Sequence, residues 1–490
     1  VGMVRERRAL TAGLAMLVAV AASTACGGSG SAPAPAKTSS APASDWSAGR
    51  SHPVADDMYP QFGDPATDVL HYGLDLKWDP ASTVLTGTAT LAVRAAEPTD
   101  HFVLDLAADM SADSVTVNGA PAADVHDGDH LTVPAGRRLP ADAVRTVVIA
   151  YHGTPHLVPA PMTRPDVPGL GAQVTASGAV WAQQEPYGAF TWFPCDDQPS
   201  DKALYDVAIT APDGWAGVSG GTFLGRTESA GHGVYRWHQP NPVSTYLVAF
   251  AVDRFQQDSA TGPHGIALTY WYLPADAEAV HKLTAQVPAM ISFLEQRFGP
   301  YPFGTAGVLF RPEMVGMETQ TMITFSSHGA AADLLHEFAH QWFGDAVTPT
   351  TWSGLWLNEG FAMYAQRLWQ AAQSGSQTTT ADLLLRGDQR MDQPLRSGDG
   401  PPGHYLPTHF ASSNVYICPE LMLNGIRTAL GDTAFYQLLN DWVHQHQGTN
   451  QDRNTFAAFL DAHTGRDFSA YVDAWLDSPT TPTIQPPGAG

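Results

Sequence analysis

Cysteine is scarce in this chain, with three in 490 residues. Cys26 stands near the start, so the body, with Cys195 and Cys418, can form at most one disulfide. A disulfide-stapled fold is excluded, and both thiols are expected buried and free. Basic residues are also few: Lys and Arg number 25 against 48 Asp and Glu, a formal charge of −23. Such a chain repels phosphate backbones, which excludes nucleic acid as a partner and suits a soluble extracytoplasmic protein. Long hydrophobic runs are missing too. The run from Leu10 to Ala22 is too short for a comfortable membrane span, and no internal repeat divides the chain.

What is present organises the chain in order. Arg5, Arg7 and Arg8 ahead of that apolar run, with small residues after it, predict a signal peptide over 1–25. Ser23-Thr24-Ala25-Cys26-Gly27-Gly28 resembles a bacterial lipoprotein processing site. Lipidation of Cys26 would attach the protein to the outer face of the membrane, and ordinary secretion with cleavage near Ala25 is the alternative. Residues 26–56, rich in Gly, Ser, Ala and Pro, read as a flexible tether. From 57 to 255 short alternating runs such as His71–Leu76, Val84–Leu91 and Val144–Ile149, punctuated by Asn118-Gly119 and Asp127-Gly128, predict a β-sandwich domain. The period then changes. Val280, Leu283, Val287, Ile291, Leu294 and Phe298 predict one amphipathic helix, stopped by Gly299-Pro300. Helices dominate from there, giving a second domain over 256–478 and a Pro-rich tail over 479–490. The fold class is therefore α+β and multidomain.

Chemistry concentrates in His336-Glu337-Phe338-Ala339-His340 and in Glu359, which 18 residues separate from His340. On a helix the two histidines four apart share a face and can offer nitrogens to one metal ion. Glu337 approaches the same ion from a rotated position, which suits a base acting on metal-bound water. Two histidines and one carboxylate leave a fourth tetrahedral position open, the mark of a catalytic zinc, one per chain. A break at Thr348–Thr351 and a second helical run from Leu355 would return Glu359 beside the histidines as the third ligand. Residues supporting the ligand rings are expected, with Asp345 and Asn358 as candidates.

Further motifs make the chain resemble the aminopeptidase N and leukotriene hydrolase family of zinc metallopeptidases. They are Phe193-Pro194-Cys195-Asp196-Asp197-Gln198-Pro199, Phe298-Gly299-Pro300-Tyr301-Pro302-Phe303 and Gly316-Met317-Glu318-Thr319. The resemblance implies a saddle-like N-terminal β domain and a thermolysin-like, mainly helical catalytic domain. The chain ends where larger members continue into a helical C-terminal domain, so none is expected here. It also implies site roles: Glu318 and Glu185 for the substrate's α-amine, Gly316 and Met317 along the substrate, and Tyr416 as oxyanion donor, with Tyr405 and Tyr364 as substitutes. Thr319 stands where the family has asparagine, and Cys418-Pro419 where Lys-Gly is common. The first departure bears on the shape of the first substrate pocket and the second on the loop around Tyr416.

The implied activity is removal of N-terminal residues from unblocked peptides. The alternatives are an endopeptidase with the same zinc chemistry and a lipid-anchored peptide-binding protein without catalysis. Nothing in the pattern specifies an oligomeric state.

Overall fold

A computed structural model describes residues 45–162, 167–375 and 377–488. The signal segment, Cys26 and most of the expected tether lie outside the described residues. The tether's expected end is different. Trp46 stacks on His71 with ring centroids 3.7 Å apart, the Ser51 hydroxyl donates to the Lys202 carbonyl at 2.8 Å, and Asp56 accepts from the Trp352 N–H at 2.8 Å. Trp46 to Asp56 is thus packed on the body, because Trp46, Ser51 and Asp56 find specific partners that composition alone does not reveal.

The N-terminal half is built on strands whose side chains alternate. In Thr67–Asp79, Leu74, Leu76 and Trp78 are buried while Asp75, Lys77 and Asp79 face out, the period of a half-covered sheet. An eight-stranded sheet runs in the order 222–229, 232–244, 202–212, 67–79, 84–95, 144–153, 111–117, 120–121. All its pairs are antiparallel except Thr67–Asp79 with Lys202–Pro212. A four-stranded sheet, 216–219, 250–253, 180–183, 171–174, accompanies it, with a three-stranded one formed by 101–105, 130–134 and 125–127. Cys195 is buried in this half and unbridged, as is Cys418 in the other.

The C-terminal half opens with a sheet of its own, in the order 256–261, 267–272, 305–311, 323–326. Thr305–Arg311 is buried along its whole length, as a central strand under helices must be. The single helix expected before it is two, α1 (Ala277–Thr284) and α2 (Val287–Phe298). Pro288 sits in the first turn of α2, where its missing N–H is harmless, and a continuous helix through it would lose a hydrogen bond. Then come α3 (Ala331–His340), α4 (Trp356–Gln373), α5 (Gln377–Asp399), α6 (Asn414–Leu430), α7 (Asp432–His446), α8 (Arg453–Thr464) and α9 (Ser469–Asp477). None among the described residues is long and apolar enough to cross a membrane.

Two cores result, but the first is not confined to the β half. Met314, Met317, Trp352, Leu355, Tyr405 and Val415 pack into it alongside Trp192, Phe193 and Tyr246. Described residues 45–488 accordingly form one compact unit.

Close packing of α4 against α6 depends on Gly360, where an added Cβ would come within 2.5 Å of the Pro419 Cβ. Alanine gains about 1 kcal/mol of helix propensity, whereas overpacking a helix contact costs about 1–3 kcal/mol. Gly360→Ala should therefore lower the Tm in thermal unfolding. An unchanged or raised Tm would mean that the two helices separate freely.

Candidate active site

On α3 the apolar residues Leu334, Leu335, Phe338 and Ala339 are buried in the core, and helical periodicity groups His336, Glu337 and His340 along the opposite side, where they line a cavity of about 780 Å³. The chain turns at Gly344, whose φ of +126° suits a residue without Cβ. It then runs through Val347–Pro349 and a 3₁₀ turn at Trp352–Gly354 into α4. Glu359 thereby returns to the histidines. Its Oε2 lies 3.0 Å from His336 Nε2 and 3.4 Å from His340 Nε2. One turn before His336, Asp333 meets Gln366 at 2.8 Å. Residues early on α3 thus meet residues late on α4, so the two helices are antiparallel.

His336, His340 and Glu359 offer nitrogen and oxygen atoms within 4.8 Å of one another, all buried. His340 Nδ1 lies 3.1 Å from the Phe343 carbonyl; as donor there it leaves Nε2 with a free lone pair, the tautomer a metal needs. Asp345 and Asn358 do not bond to the rings. Asp345 is fully buried with neither carboxylate oxygen paired, and the Asn358 amide donates to Tyr246 Oη at 3.3 Å. Unpaired buried polar atoms gather here: His336 Nδ1, Glu318 Oε1 and Glu185 Oε1 join the Asp345 pair. Such atoms are costly in a dry site unless a ligand completes them. The N₂O donor set and its unpaired surroundings fit a zinc ion.

Electrostatics agree with a site that takes cations. Burial pushes Glu337 well above the usual carboxylate range, with Glu318 and Glu359 raising it further against the opposing pull of His340. Burial also raises Glu185 and Glu318, and Glu185 is raised again by Glu318. Glu359 is the exception. Burial would raise it, but His340 and the hydrogen bonds from both imidazoles hold it well below the carboxylate range.

The remaining expected residues line the same cavity, drawn from separate elements. Gly316, Met317 and Glu318 belong to a loop that pairs with the strand Ile323–Ser326: Met317 and Thr324 exchange two backbone hydrogen bonds of 3.0 Å. An added Cβ at Gly316 would overlap the Glu337 carboxylate. Glu185 arrives from the β half, just after the strand Val180–Gln183. Tyr416 lies in the first turn of α6, its ring 5.9 Å from that of His336. Tyr405 is spent elsewhere, donating to the Trp352 carbonyl at 2.6 Å, and Tyr364 donates to Asn424 at 3.2 Å. Thr319 does not line the cavity; its hydroxyl closes a turn on the Met322 carbonyl.

Gln341 was not anticipated. Fully buried beside His340, it donates to the Glu318 carbonyl at 3.1 Å and accepts from the Thr321 N–H at 2.9 Å. It fixes the Glu318 loop to α3. Its only signal in the sequence is a polar residue between His340 and the apolar pair Trp342-Phe343.

Two family models match the chain: the peptidase M1 N-terminal domain over residues 68–247 and the peptidase family M1 domain over 283–475. Among curated proteins, human aminopeptidase RNPEPL1 is 27% identical over 73% of this chain and 52% of its own length. Mouse aminopeptidase B is 29% identical over 66% and 54%, and Streptomyces lividans aminopeptidase N 27% identical over 63% and 39%. The chain thus spans about half the length, or less, of these curated relatives. A solved M1 zinc metallopeptidase from Deinococcus radiodurans superposes with a TM-score of 0.79 at 29% identity, over 89% of this chain and 100% of that one. The yeast LTA4 hydrolase structure shares the fold, with a TM-score of 0.70 at 22% identity.

Because Glu359 reaches both imidazoles, Glu359→Ala should weaken zinc affinity by roughly a hundredfold or more, since losing even a supporting residue outside the ligands costs 10- to 100-fold. Chelator competition with metal analysis measures this. Undiminished affinity would move the ion to Glu318, Glu337 and His340, whose ligand atoms also converge.

Proposed function

The chain belongs to peptidase family M1, and from that membership and the geometry of its site we propose that it is a zinc aminopeptidase, one ion per chain, removing N-terminal residues from unblocked peptides. One observation carries the exopeptidase reading. Glu318 and Glu185 each hold a carboxylate oxygen shielded from water and without a partner, beside the metal-ligand triad in one cavity. A substrate ammonium completes both, and the gain over water is large because the site is already desolvated. That contact sets the scissile bond one residue from the N-terminus.

Zinc held by His336, His340 and Glu359 would polarise the scissile carbonyl and acidify a water. Glu337, which burial raises well above the usual carboxylate range, takes the proton of the attacking water and passes it to the leaving amine. The Tyr416 hydroxyl donates to the carbonyl oxygen as it becomes anionic. Gly316, having no side chain, lets the Glu337 carboxylate and the substrate backbone approach closely. The leader-like segment ahead of Cys26 supports action outside the cytoplasm, attached to the membrane if that cysteine is lipidated.

Glu337→Gln should keep its zinc and lose about 10²–10⁴ in kcat; substantial turnover would remove Glu337 from the base role. Tyr416→Phe should lower kcat by about 10²–10³ with little change in KM. A rate like that of the parent enzyme would take the oxyanion role away from Tyr416. Acetylating the N-terminus of a good peptide substrate should abolish cleavage. Continued cleavage of the blocked peptide would make the enzyme an endopeptidase.

A further inference from the structure

The cavity continues past the metal ligands along α3, and its far end carries a charge that bond cleavage does not use. Its helical walls run in step. On α3, His340, Glu337 and Asp333 succeed one another by three or four residues, and on α4 so do Glu359, Met363 and Gln366. A helical turn rises about 5.4 Å, which puts Asp333 and Gln366 one to two turns beyond the ligands. Glu318 gathers at the other end, its carboxylate converging with the Glu337 carboxylate and the His340 ring. The amine-holding end and the Asp333 end of the cavity are opposite ends of α3.

This order gives the substrate a direction. With the ammonium on Glu318 and Glu185 and the scissile bond over Glu337, the second residue leads toward Asp333. We propose that Asp333 selects peptides whose second residue is basic, lysine or arginine; the inference rests on the aminopeptidase reading. Asp333 is exposed to the cavity's solvent, and its carboxylate is oriented from α4 by the buried Gln366, whose amide donates to Oδ1 at 2.8 Å. Met363 and Ile417 line the approach and offer apolar surface to the aliphatic stem of a lysine or arginine. Among the described residues, no lysine or arginine lines the cavity to compete for Asp333. Asp399 also lines the cavity, paired with His409 at 2.8 Å. An acidic second residue would meet only like charge, and such repulsion is an effective means of rejection.

The test compares the dipeptide amides Ala-Lys, Ala-Arg, Ala-Ala and Ala-Glu by kcat/KM. An exposed charge pair shifts each arm by about three- to fivefold, so Lys and Arg should exceed Glu by roughly tenfold. The ratio should shrink in 1 M salt, where the screening length falls from about 8 to about 3 Å. It should approach one in Asp333→Asn and invert in Asp333→Lys, ratios that stay readable even if all rates fall together. A flat profile, or a preference that survives Asp333→Asn, overturns the inference and leaves the aminopeptidase reading standing. If none of the dipeptides is cleaved while N-acetylated peptides are, the aminopeptidase reading fails instead.

Discussion

Negative charge buried around two imidazoles is the constraint the rest of the structure answers to. Glu185, Glu318, Glu337 and Glu359 share one cavity with His336 and His340, and in so dry a place the charges cannot all persist without a cation. Glu359 is held well below the carboxylate range, and the His340 imidazole is raised: burial opposes the latter, and Glu318 and Glu359 overcome it. A dication reverses that logic, since both rings must then be neutral donors. The Phe343 carbonyl on His340 Nδ1 already prepares one ring for that state. In the proposed function the other carboxylates would serve a second cation, a substrate's ammonium, and the proton in transit.

The scaffold holds this concentration of charge by drawing on both halves of the chain. Glu185 comes from the β half, beside Gln184, whose amide donates to the Thr245 and Val248 carbonyls at 2.8 and 3.0 Å. Lys202, on a strand of the eight-stranded sheet, reaches the loop beyond the metal helix, donating to the Asp345 carbonyl and to Thr348 Oγ1 at 2.7 Å each. Its ammonium is buried so completely that its pKa is pushed down to about 7. The Lys202 contacts tie the loop after α3 to the β half, which also supplies Glu185, and a shared apolar core runs between the two halves.

How legible each part was follows from the range of the interaction that creates it. His336, Glu337 and His340 are bound to one another by helical periodicity, so spacing alone puts them on one face. The strands at Thr67–Asp79 and Val84–Ala95 likewise announce themselves by alternation. Pro288 was a local signal for the break between α1 and α2, but the apolar period of three to four runs through it and conceals the interruption. Long-range pairings left no such trace. The contact of Asp56 with Trp352 joins residues 296 positions apart, and the bracing of Glu318 by Gln341 depends on how a loop folds back onto α3. Nothing in the sequence distinguishes Asp345 or Asn358 as a partner of the rings, and the support for His340 is a backbone carbonyl, which any residue supplies and no side chain advertises.

The two departures from the family pattern turn out to act on packing. Thr319 closes its own turn and stays outside the cavity. Pro419 lies inside α6 with its ring against Gly360, the residue that follows the ligand Glu359. Tyr416 is on the same helix, one turn earlier. The missing side chain at Gly360 and the ring at Pro419 therefore set how closely the helix bearing the hydroxyl approaches the helix bearing the ligand. In the proposed oxyanion role Tyr416 would act over a hydrogen-bond length, where a shift of 1 Å is enough to lose alignment. Pro419 also has no N–H to bond within the helix, so its place in α6 rests on this contact more than on the helix's own ladder. The geometry of the chemistry is thus held from behind, by a contact that touches neither substrate nor metal.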